Sequence, residues 1–174
     1  MKATGVVRRI DELGRIVIPK EIRKNFRIKD GENIEIYIDD EENIILKKHS
    51  ILKNIKEIAN IITDSIYQIN NKTVLITDTN NIISISKDKK ELLNNPISNE
   101  FLKIMNNRIK INESKKNDLN INEEMYDSFY IMYPIISNGD LIGSIVLISD
   151  NKIDNIDSLL LELALKILLK YIEQ

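Results

Sequence analysis

The sequence predicts an α+β protein in two parts: a β-rich head, then an α/β domain whose antiparallel sheet is flanked by helices. Three observations predict this. Short β-branched runs fill residues 1–50, a helical apolar repeat covers residues 51–70, and strands alternate with helices over residues 71–174. Since no Gly/Pro/Ser-rich linker is visible, we expect the helix at 51–70 to connect the two parts.

The head is predicted to consist of short strands around one helical turn. Residues 3–10 and 15–18 are the first strands, and Pro19 fits the first position of a short helix because its missing N–H needs no partner there. An alternating run at 34–38 predicts a half-buried strand, and an acidic turn returns the chain into a strand at 44–46.

Fifty residues of this kind are too few to stabilise a core alone. Burial at about 25 cal/mol per Å² roughly cancels an ordering cost of about 1.5 kcal/mol per residue at this size. The chain has no Cys and one His, so neither a disulfide nor a zinc site can compensate. We therefore expect the head to fold only as a dimer with interleaved strands.

The connecting helix has Ser50 as its predicted N-cap and a single apolar stripe, widened by Leu52 and Ala59. The stripe consists of Ile51, Ile55, Ile58, Ile62, Ile66 and Ile69. It is expected to pack partly on its own domain and partly on a partner helix.

The rest of the chain is predicted to form two hairpins and two helices. The first hairpin pairs residues 73–77 with 82–86, and a helix over 99–109 follows, with Ser98 as N-cap. The polar segment 113–124 is expected to be mobile. Strands at 127–136 and 141–149 are joined by a tight turn, because Asn138 and Gly139 both tolerate positive φ.

A final helix at 154–172 carries a broad apolar face. Its members are Ile156, Leu159, Leu160, Leu163, Ile167 and Tyr171.

Charge is segregated along the chain, although the net charge is only -2. Residues 1–29 carry nine Lys or Arg and three acids, a balance of +6, whereas residues 30–46 carry seven acids and no base. Five of the six arginines lie in the first 27 residues. The planar guanidinium suits phosphates and guanine edges, so this distribution indicates nucleic-acid binding; the alternative is a basic surface paired with the acidic stretch.

Several function classes have no support in the sequence. His49 is the only histidine and is expected to lie in a linker, and neither dinucleotide nor P-loop glycine motifs occur. The acidic turn at 39–42 lacks the spacing of a calcium loop. We therefore expect no enzymatic activity, no cofactor and no metal. With no apolar run long enough to span a bilayer and no secretory signal, we expect a cytoplasmic protein without a membrane partner.

A group of large side chains in the strand at 127–136 and just before it allows two interpretations. They could line a ligand pocket, but at strand spacing they are more often core. These residues are Tyr126, Phe129, Tyr130, Met132 and Tyr133.

The run TGVVRRIDELGRIVIPKEIR resembles the DNA-binding domain of the AbrB and SpoVT family of transition-state regulators, with DELGR and VIPKEIR its most specific parts. The second half is similar to a GAF domain in element order and in its closing hairpin PIISNGDLIGSIVLIS. This resemblance implies a swapped-hairpin dimer that binds double-stranded DNA. It also implies a sporulation-linked regulator that represses some genes and activates others, and a homotetramer built when helices flanking the GAF-like domains pack as a bundle.

The family's DNA-contacting basic positions map onto Arg8, Arg15, Arg23 and Lys24. Relatives commonly carry Arg at position 24, so Lys24 is expected to make a less directional phosphate contact. Arg9 is a further candidate, although neighbouring side chains of a strand point to opposite faces. The GAF-like domain implies a small-molecule effector of unknown chemistry, because such domains bind unrelated ligands or none.

A second hypothesis is that the head only dimerises and the protein is a small-ligand sensor or an antitoxin-like partner binder. The arginine distribution argues against it, because a dimerisation module needs no segment with a charge of +6.

Overall fold

The computed structural model describes residues 6–49, 55–112, 116–122 and 125–173. The chain divides into two compact units, Met1–His49 and Ser50–Gln174. We call them the head and the C-terminal domain and describe each by itself.

The head contains one helix and one hairpin: α1 (Lys20–Asn25), β1 (Ile34–Ile38) and β2 (Ile44–Lys48). The two strands pair antiparallel, with Ile34 opposite Lys48 and Ile38 opposite Ile44, as the alternating pattern predicts. The other two predicted strands are wrong for the single chain: residues 6–10 and 15–18 form no strand, and residues 3–5 lie outside the described part. A strand needs a neighbour for its backbone hydrogen bonds, and the sheet of the described head contains only β1 and β2.

Helix α1 is short and ends in a defined turn. Pro19 is its N-cap, one position before the predicted one, and Phe26 is its C-cap. Arg27 follows with φ +53, a left-handed conformation that glycine usually adopts at this position. The Arg27 N–H donates to the Lys24 carbonyl at 3.2 Å and the Ile28 N–H to the Arg23 carbonyl at 2.7 Å, the pattern of a Schellman motif.

No residue of the described head is buried. The β hairpin instead exposes one continuous apolar face, in which Ile36 lies opposite Leu46 and Ile38 opposite Ile44. These four side chains, which we call the open apolar face, are 43% to 75% exposed. The single head therefore has no core of its own, as its size predicts.

The C-terminal domain is an antiparallel sheet with helices on both faces. Its strand order is β4-β3-β8-β7-β5, and β6 also pairs with β7. The elements are α2 (Lys56–Asn70), β3 (Thr73–Asp78), β4 (Ile82–Ile85), a 3-10 helix (Lys87–Leu92), α3 (Asn99–Asn106), β5 (Ile111–Asn112), β6 (Asn117–Asn120), β7 (Met125–Ser137), β8 (Asp140–Ser149) and α4 (Asn155–Ile172).

Alternation along each strand divides the buried side chains between two cores. Val74 and Ile76 of β3 face α2 and α4, whereas Leu75 between them faces the opposite core. Leu92 of the 3-10 helix and Phe101 of α3 belong to that second core. The sheet is thus covered on both faces.

The predicted hairpin turn is confirmed. Ser137 pairs with Asp140, and Asn138 and Gly139 have φ of +50 and +83. Ser98 is confirmed as the cap of α3, because its Oγ accepts the Phe101 N–H at 3.0 Å. The helix ends at Asn106, however, three residues before the predicted end.

One prediction for the C-terminal domain needs correction. Asn117–Asn120 of the segment expected to be mobile form β6, where Leu119 is fully buried; residues 113–115, 123 and 124 lie outside the described part. The described part of the connecting helix is α2, with Ile55 as its N-cap; the predicted Ser50 cap lies outside the described residues, as do Ile51 and Leu52.

Ile69 closes the predicted stripe of this helix but is 64% exposed. The stripe's middle does pack on the sheet, since Ile62 and Ile66 are buried.

Helix α4 packs on the sheet mainly through residues outside the predicted broad apolar face. It buries Leu161, Ala164, Leu165 and Leu168. Apolar residues occupy both sides of this helix, so periodicity alone could not decide which side faces inward. Five members of the predicted face point outward and are 39% to 69% exposed. We call these the outer α4 stripe: Ile156, Leu159, Leu163, Ile167 and Tyr171.

Candidate nucleic-acid interface

The basic side chains predicted to bind DNA are accessible in the head. Arg8, Arg9, Arg15 and Lys24 are exposed, and Arg23 is half-buried. No hydrogen bond joins one of the five to another, as expected of like charges. Arg8 and Arg9 lie before the loop at 11–15, and Arg15 ends that loop. Arg23 and Lys24 lie in the last turn of α1.

The loop at 11–15 is closed by one carboxylate. Asp11 Oδ1 accepts the Arg15 N–H at 2.8 Å and the Leu13 N–H at 3.0 Å. Asp11 Oδ2 accepts Arg15 Nε at 2.8 Å. Gly14 has φ +75, a conformation that glycine adopts with less strain than other residues. The sequence DELGR therefore forms a compact loop that holds the backbone of Arg15 and the Nε end of its guanidinium.

The electrostatics of this loop favour a charged Asp11. Hydrogen bonds from the Arg15 backbone N–H and then from its guanidinium lower the pKa of the Asp11 carboxyl. The Arg15 side chain is nonetheless 70% exposed. Its guanidinium can therefore reach an external anion while Asp11 holds its orientation.

Arg23 is paired with Asp30, the first acid after the basic segment. The Asp30 side chain is 94% exposed, and ion pairs in such surroundings contribute little to stability. Arg8 donates to the neighbouring Val7 carbonyl, at 3.2 Å. Both guanidinium groups can therefore exchange these contacts for a phosphate.

The acidic turn is held together by its own side chains. Asp39 Oδ1 accepts the backbone N–H groups of Glu41 and Asn43, and Asp39 Oδ2 accepts Asn43 Nδ2. The Asn43 side-chain bond is the largest cause of the lowered pKa of Asp39. No cluster of three His, Cys, Asp or Glu side chains that could hold a metal ion occurs among the described residues.

Three contacts at the end of β2 were not predicted. Lys48 Nζ donates to the Arg27 carbonyl at 3.2 Å and lies 3.1 Å from Glu32 Oε1, which fastens the turn after α1 to the hairpin. His49, expected to be a linker residue, places Nδ1 2.6 Å from Glu35 Oε1. Only the register of β1 against β2 could have indicated these pairings.

Glu35 also accepts the Tyr37 hydroxyl at 2.6 Å. The hydrogen bond from Tyr37, followed by that from His49, lowers the pKa of Glu35, and the same carboxylate raises the pKa of Tyr37. Glu35, Tyr37 and His49 are therefore hydrogen-bonded to one another on the face of the hairpin opposite the open apolar face.

The side chains proposed for a ligand pocket are mostly core. Tyr130 and Met132 belong to one core and Tyr133 to the other. Phe129 and Tyr126 are half-buried.

Comparison with known proteins gives a match for each part of the chain. Residues 54–173 match the family model described as stage V sporulation protein T C-terminal, transcription factor. Residues 7–53 match the model of antidote-toxin recognition MazE, bacterial antitoxin. Across its whole length the chain is 38% identical, over 180 aligned positions, to all of stage V sporulation protein T of Bacillus subtilis (strain 168).

The chain belongs to the stage V sporulation protein T family.

A second relative shares only the head of this family member. The transition state regulatory protein AbrB of Bacillus subtilis (strain 168) is 57% identical over 49 residues, which are 28% of this chain and 50% of that protein. The C-terminal domain has the GAF fold. It resembles the cofactor binding GAF domain of the nutrient sensor CodY from Clostridium difficile, with a TM-score of 0.51 and 12% identity over 63% of this chain and 80% of that one. Within the described residues, no helix is both long and apolar enough to cross a bilayer.

Proposed function

We propose that this family member is a cytoplasmic DNA-binding regulator of sporulation genes, without enzymatic activity. The observation that carries the proposal is the accessibility of the basic side chains in the head. Asp11 is engaged in its loop and Asp30 forms only an exposed pair, while Arg8, Arg15 and Lys24 are exposed to the solvent. Duplex DNA, with about one charge per 1.7 Å, is the partner that such a surface fits.

The DNA-binding residues proposed are Arg8, Arg15, Arg23 and Lys24, with Arg9 in a secondary position. Arg15 and Arg23 supply directional guanidinium contacts, and Lys24 supplies a point charge to phosphate. Selectivity then comes more from the shape and deformability of the groove than from many base contacts. The domain limits proposed are 1–50 for the head, 51–70 for the connecting helix and 71–174 for the GAF-like domain.

The head is proposed to work as a dimer. Its open apolar face has no cover within the described chain, and single-chain burial cannot offset the ordering of so short a segment. A second head with the same face supplies the missing cover, which is the isologous arrangement of a two-fold dimer. The strand segments at 6–10 and 15–18, unpaired in one chain, then gain partners through a swapped hairpin.

The C-terminal domain is proposed to sense a ligand and to join dimers into a tetramer. Its outer α4 stripe has an apolar residue at each step of three or four positions, the spacing of a helix-packing seam. Exposed apolar surface of this extent on one helix indicates a protein interface. A matching helix of another chain is the proposed partner.

The decisive experiment measures the binding of the full chain to duplex DNA by fluorescence anisotropy over a range of salt concentrations. We expect a slope of log K against log salt of roughly -5, which corresponds to about six phosphate contacts per dimer. Combined Arg8→Ala, Arg15→Ala and Arg23→Ala substitution should weaken binding by roughly 100-fold or more and flatten that slope. The matched control removes the same charge from the C-terminal domain, at the exposed residues Lys90, Lys103 and Lys152.

Retained affinity in the arginine variant would overturn the residue assignment. An equal loss in both variants would indicate non-specific charge attraction.

A second candidate function follows from the match of residues 7–53 to an antitoxin model. In that case the head would dimerise and capture a protein partner. The same titration separates the two functions, because a head that binds only protein gives no anisotropy change with duplex DNA at low salt.

A further inference from the structure

The C-terminal domain contains a cavity of about 370 Å³ that the DNA-binding function does not use. It is lined by the end of α2, the start of β3, the 3-10 helix, the start of β7 and the residues that end β8. Cavities of this size accept small metabolites. The inference below rests on the proposed ligand-sensing role of this domain.

The floor of the cavity is apolar. It is formed by five side chains of the core that the 3-10 helix covers, each at most 8% exposed: Leu75, Ile85, Leu92, Ile121 and Ile148. A ligand that fills this part must therefore bring an apolar group, because an unpaired polar group against such a floor would lose its hydrogen bonds to water.

Two charged side chains at the cavity are already used by the fold. Lys72 donates to the buried carboxylate of Asp157, and Asp88 accepts from the hydroxyl groups of Thr73 and Ser86. These contacts fix two walls of the cavity and leave neither group available as a full charge for a ligand.

Two other charges have no such role. Lys89 and Asp150 both line the cavity, and neither has a hydrogen-bond or ion-pair partner for its charged group among the residues that the structure describes. Lys89 is at a kink in the 3-10 helix, with φ -131 and ψ 30, and its Nζ lies 5.6 Å from the centroid of the Tyr126 ring. The available charges are thus one cation and one anion.

We propose that this cavity binds a small zwitterion with an apolar side chain, such as a free aliphatic amino acid. Lys89 binds the ligand carboxylate, Asp150 binds its ammonium group, and the apolar side chain lies on the floor. Phosphorylated ligands do not fit this arrangement, because Lys89 alone would have to balance a phosphate dianion that the Asp150 carboxylate repels. Tyr126 is the member of the predicted aromatic group that lines the cavity.

The test uses three ligands that share one alkyl group and differ only in charge: leucine, 4-methylpentanoate and 3-methylbutylamine. Calorimetric titration of the full chain should show leucine binding at least about tenfold more tightly than either singly charged analogue, since each charge-assisted hydrogen bond contributes about that factor. Lys89→Met and Asp150→Asn should each weaken leucine binding by about tenfold or more. Lys103→Met, on an exposed residue outside the cavity, is the matched control and should bind as the unmodified chain does.

Equal binding of all three ligands, no binding of leucine up to about 10 mM, or a leucine affinity unchanged by Lys89→Met would each overturn the proposal. So would binding of adenosine monophosphate in place of leucine. Melting temperatures of both cavity variants are measured first, and Asp150→Asn keeps the test possible if Lys89→Met does not fold.

DNA binding by the same variants separates this proposal from the proposed function. Without ligand, Lys89→Met and Asp150→Asn should bind duplex DNA as the unmodified chain does. If leucine fails to bind while the arginine variant still loses DNA affinity, the cavity assignment is wrong and the proposed DNA-binding function is still supported. If leucine binds and the arginine variant keeps its DNA affinity, the assignment of the DNA-binding residues is wrong and the cavity assignment is supported.

Discussion

Arg15 is bonded to Asp11 through both its backbone and its side chain, each at 2.8 Å. The loop that carries the guanidinium is therefore ordered before any DNA arrives. Pre-ordering of a binding group reduces the entropy lost on association, so an acidic residue in a basic segment can support binding to an anion.

Asp11→Ala tests this role. Loss of three hydrogen bonds should disorder the loop and weaken DNA binding by roughly three- to tenfold, although removal of a negative charge alone would strengthen it. Asp11→Asn is the control, because its amide oxygen still accepts backbone N–H groups; we expect it to bind more tightly than Asp11→Ala. Anisotropy titration measures both, and tighter binding by Asp11→Ala than by the unmodified chain would contradict the loop's role.

Ile36→Glu tests the dimer of the head. Ile36 is 69% exposed in the single chain, so a charge there would be harmless to a monomeric head. In a dimer the charge is buried at the shared core, and dimerisation and DNA binding should both be lost. Ile109→Glu in the C-terminal domain introduces the same charge at a side chain that is 66% exposed, and should leave the oligomeric state of the head unchanged.

Crosslinking and sedimentation of the two variants give the readout. A dimeric, DNA-binding Ile36→Glu protein would refute the shared core.

The outer α4 stripe predicts a separable step of assembly. Leu159→Glu with Leu163→Glu should convert a tetramer into dimers, as measured by sedimentation equilibrium, with little change in melting temperature because both side chains are exposed. Leu161→Glu, on the buried side of the same helix, should instead unfold the domain. If the double variant remains a tetramer, the seam lies elsewhere.

The lowered pKa of Asp157 predicts that the C-terminal domain loses stability in acid. Burial raises the pKa of this carboxyl, but hydrogen bonds from the Asp154 backbone N–H, from Lys72 and from Asn70 together outweigh burial and leave the pKa below its ordinary 3.8. A lowered pKa means that the stabilisation is present above pH 3.8 and is lost as the pH falls through the native pKa.

Melting temperature measured from neutral pH down through this range should show that loss. Asp157→Asn should flatten the dependence, whereas Asp157→Ala should cost about 3 kcal/mol at neutral pH, because Lys72, whose side chain is 15% exposed, loses its partner. An unchanged acid profile in Asp157→Asn would show that other carboxyls control the transition.

The C-terminal domain was largely predictable, because its signals are local. The composition of the first hairpin, Asn138-Gly139 at the second and the Ser98 cap each act within a few residues, and each is confirmed. The 3-10 helix and β6 were missed because their polar sequences become ordered only through tertiary partners, as Leu119 does beneath α3.

The head shows the opposite case. Its composition predicts that one chain has too little to bury, and the structure agrees, but the strands predicted at 6–10 and 15–18 are absent from the single chain. The sequence alone shows where the basic residues are concentrated along the chain. The hydrogen bonds between Arg15 and Asp11 and the contact of His49 with Glu35 could not be predicted from the sequence, because they depend on the geometry of the turn and the register of the strands.

The exposed hairpin of the head also bears on how the concentration of active protein depends on the amount synthesised. If two chains must meet before either head is complete, the amount of competent head at low abundance rises with about the square of the amount synthesised. A twofold increase in expression then yields up to about a fourfold increase in active species, so the response to rising synthesis is steeper than proportional before any DNA site is occupied.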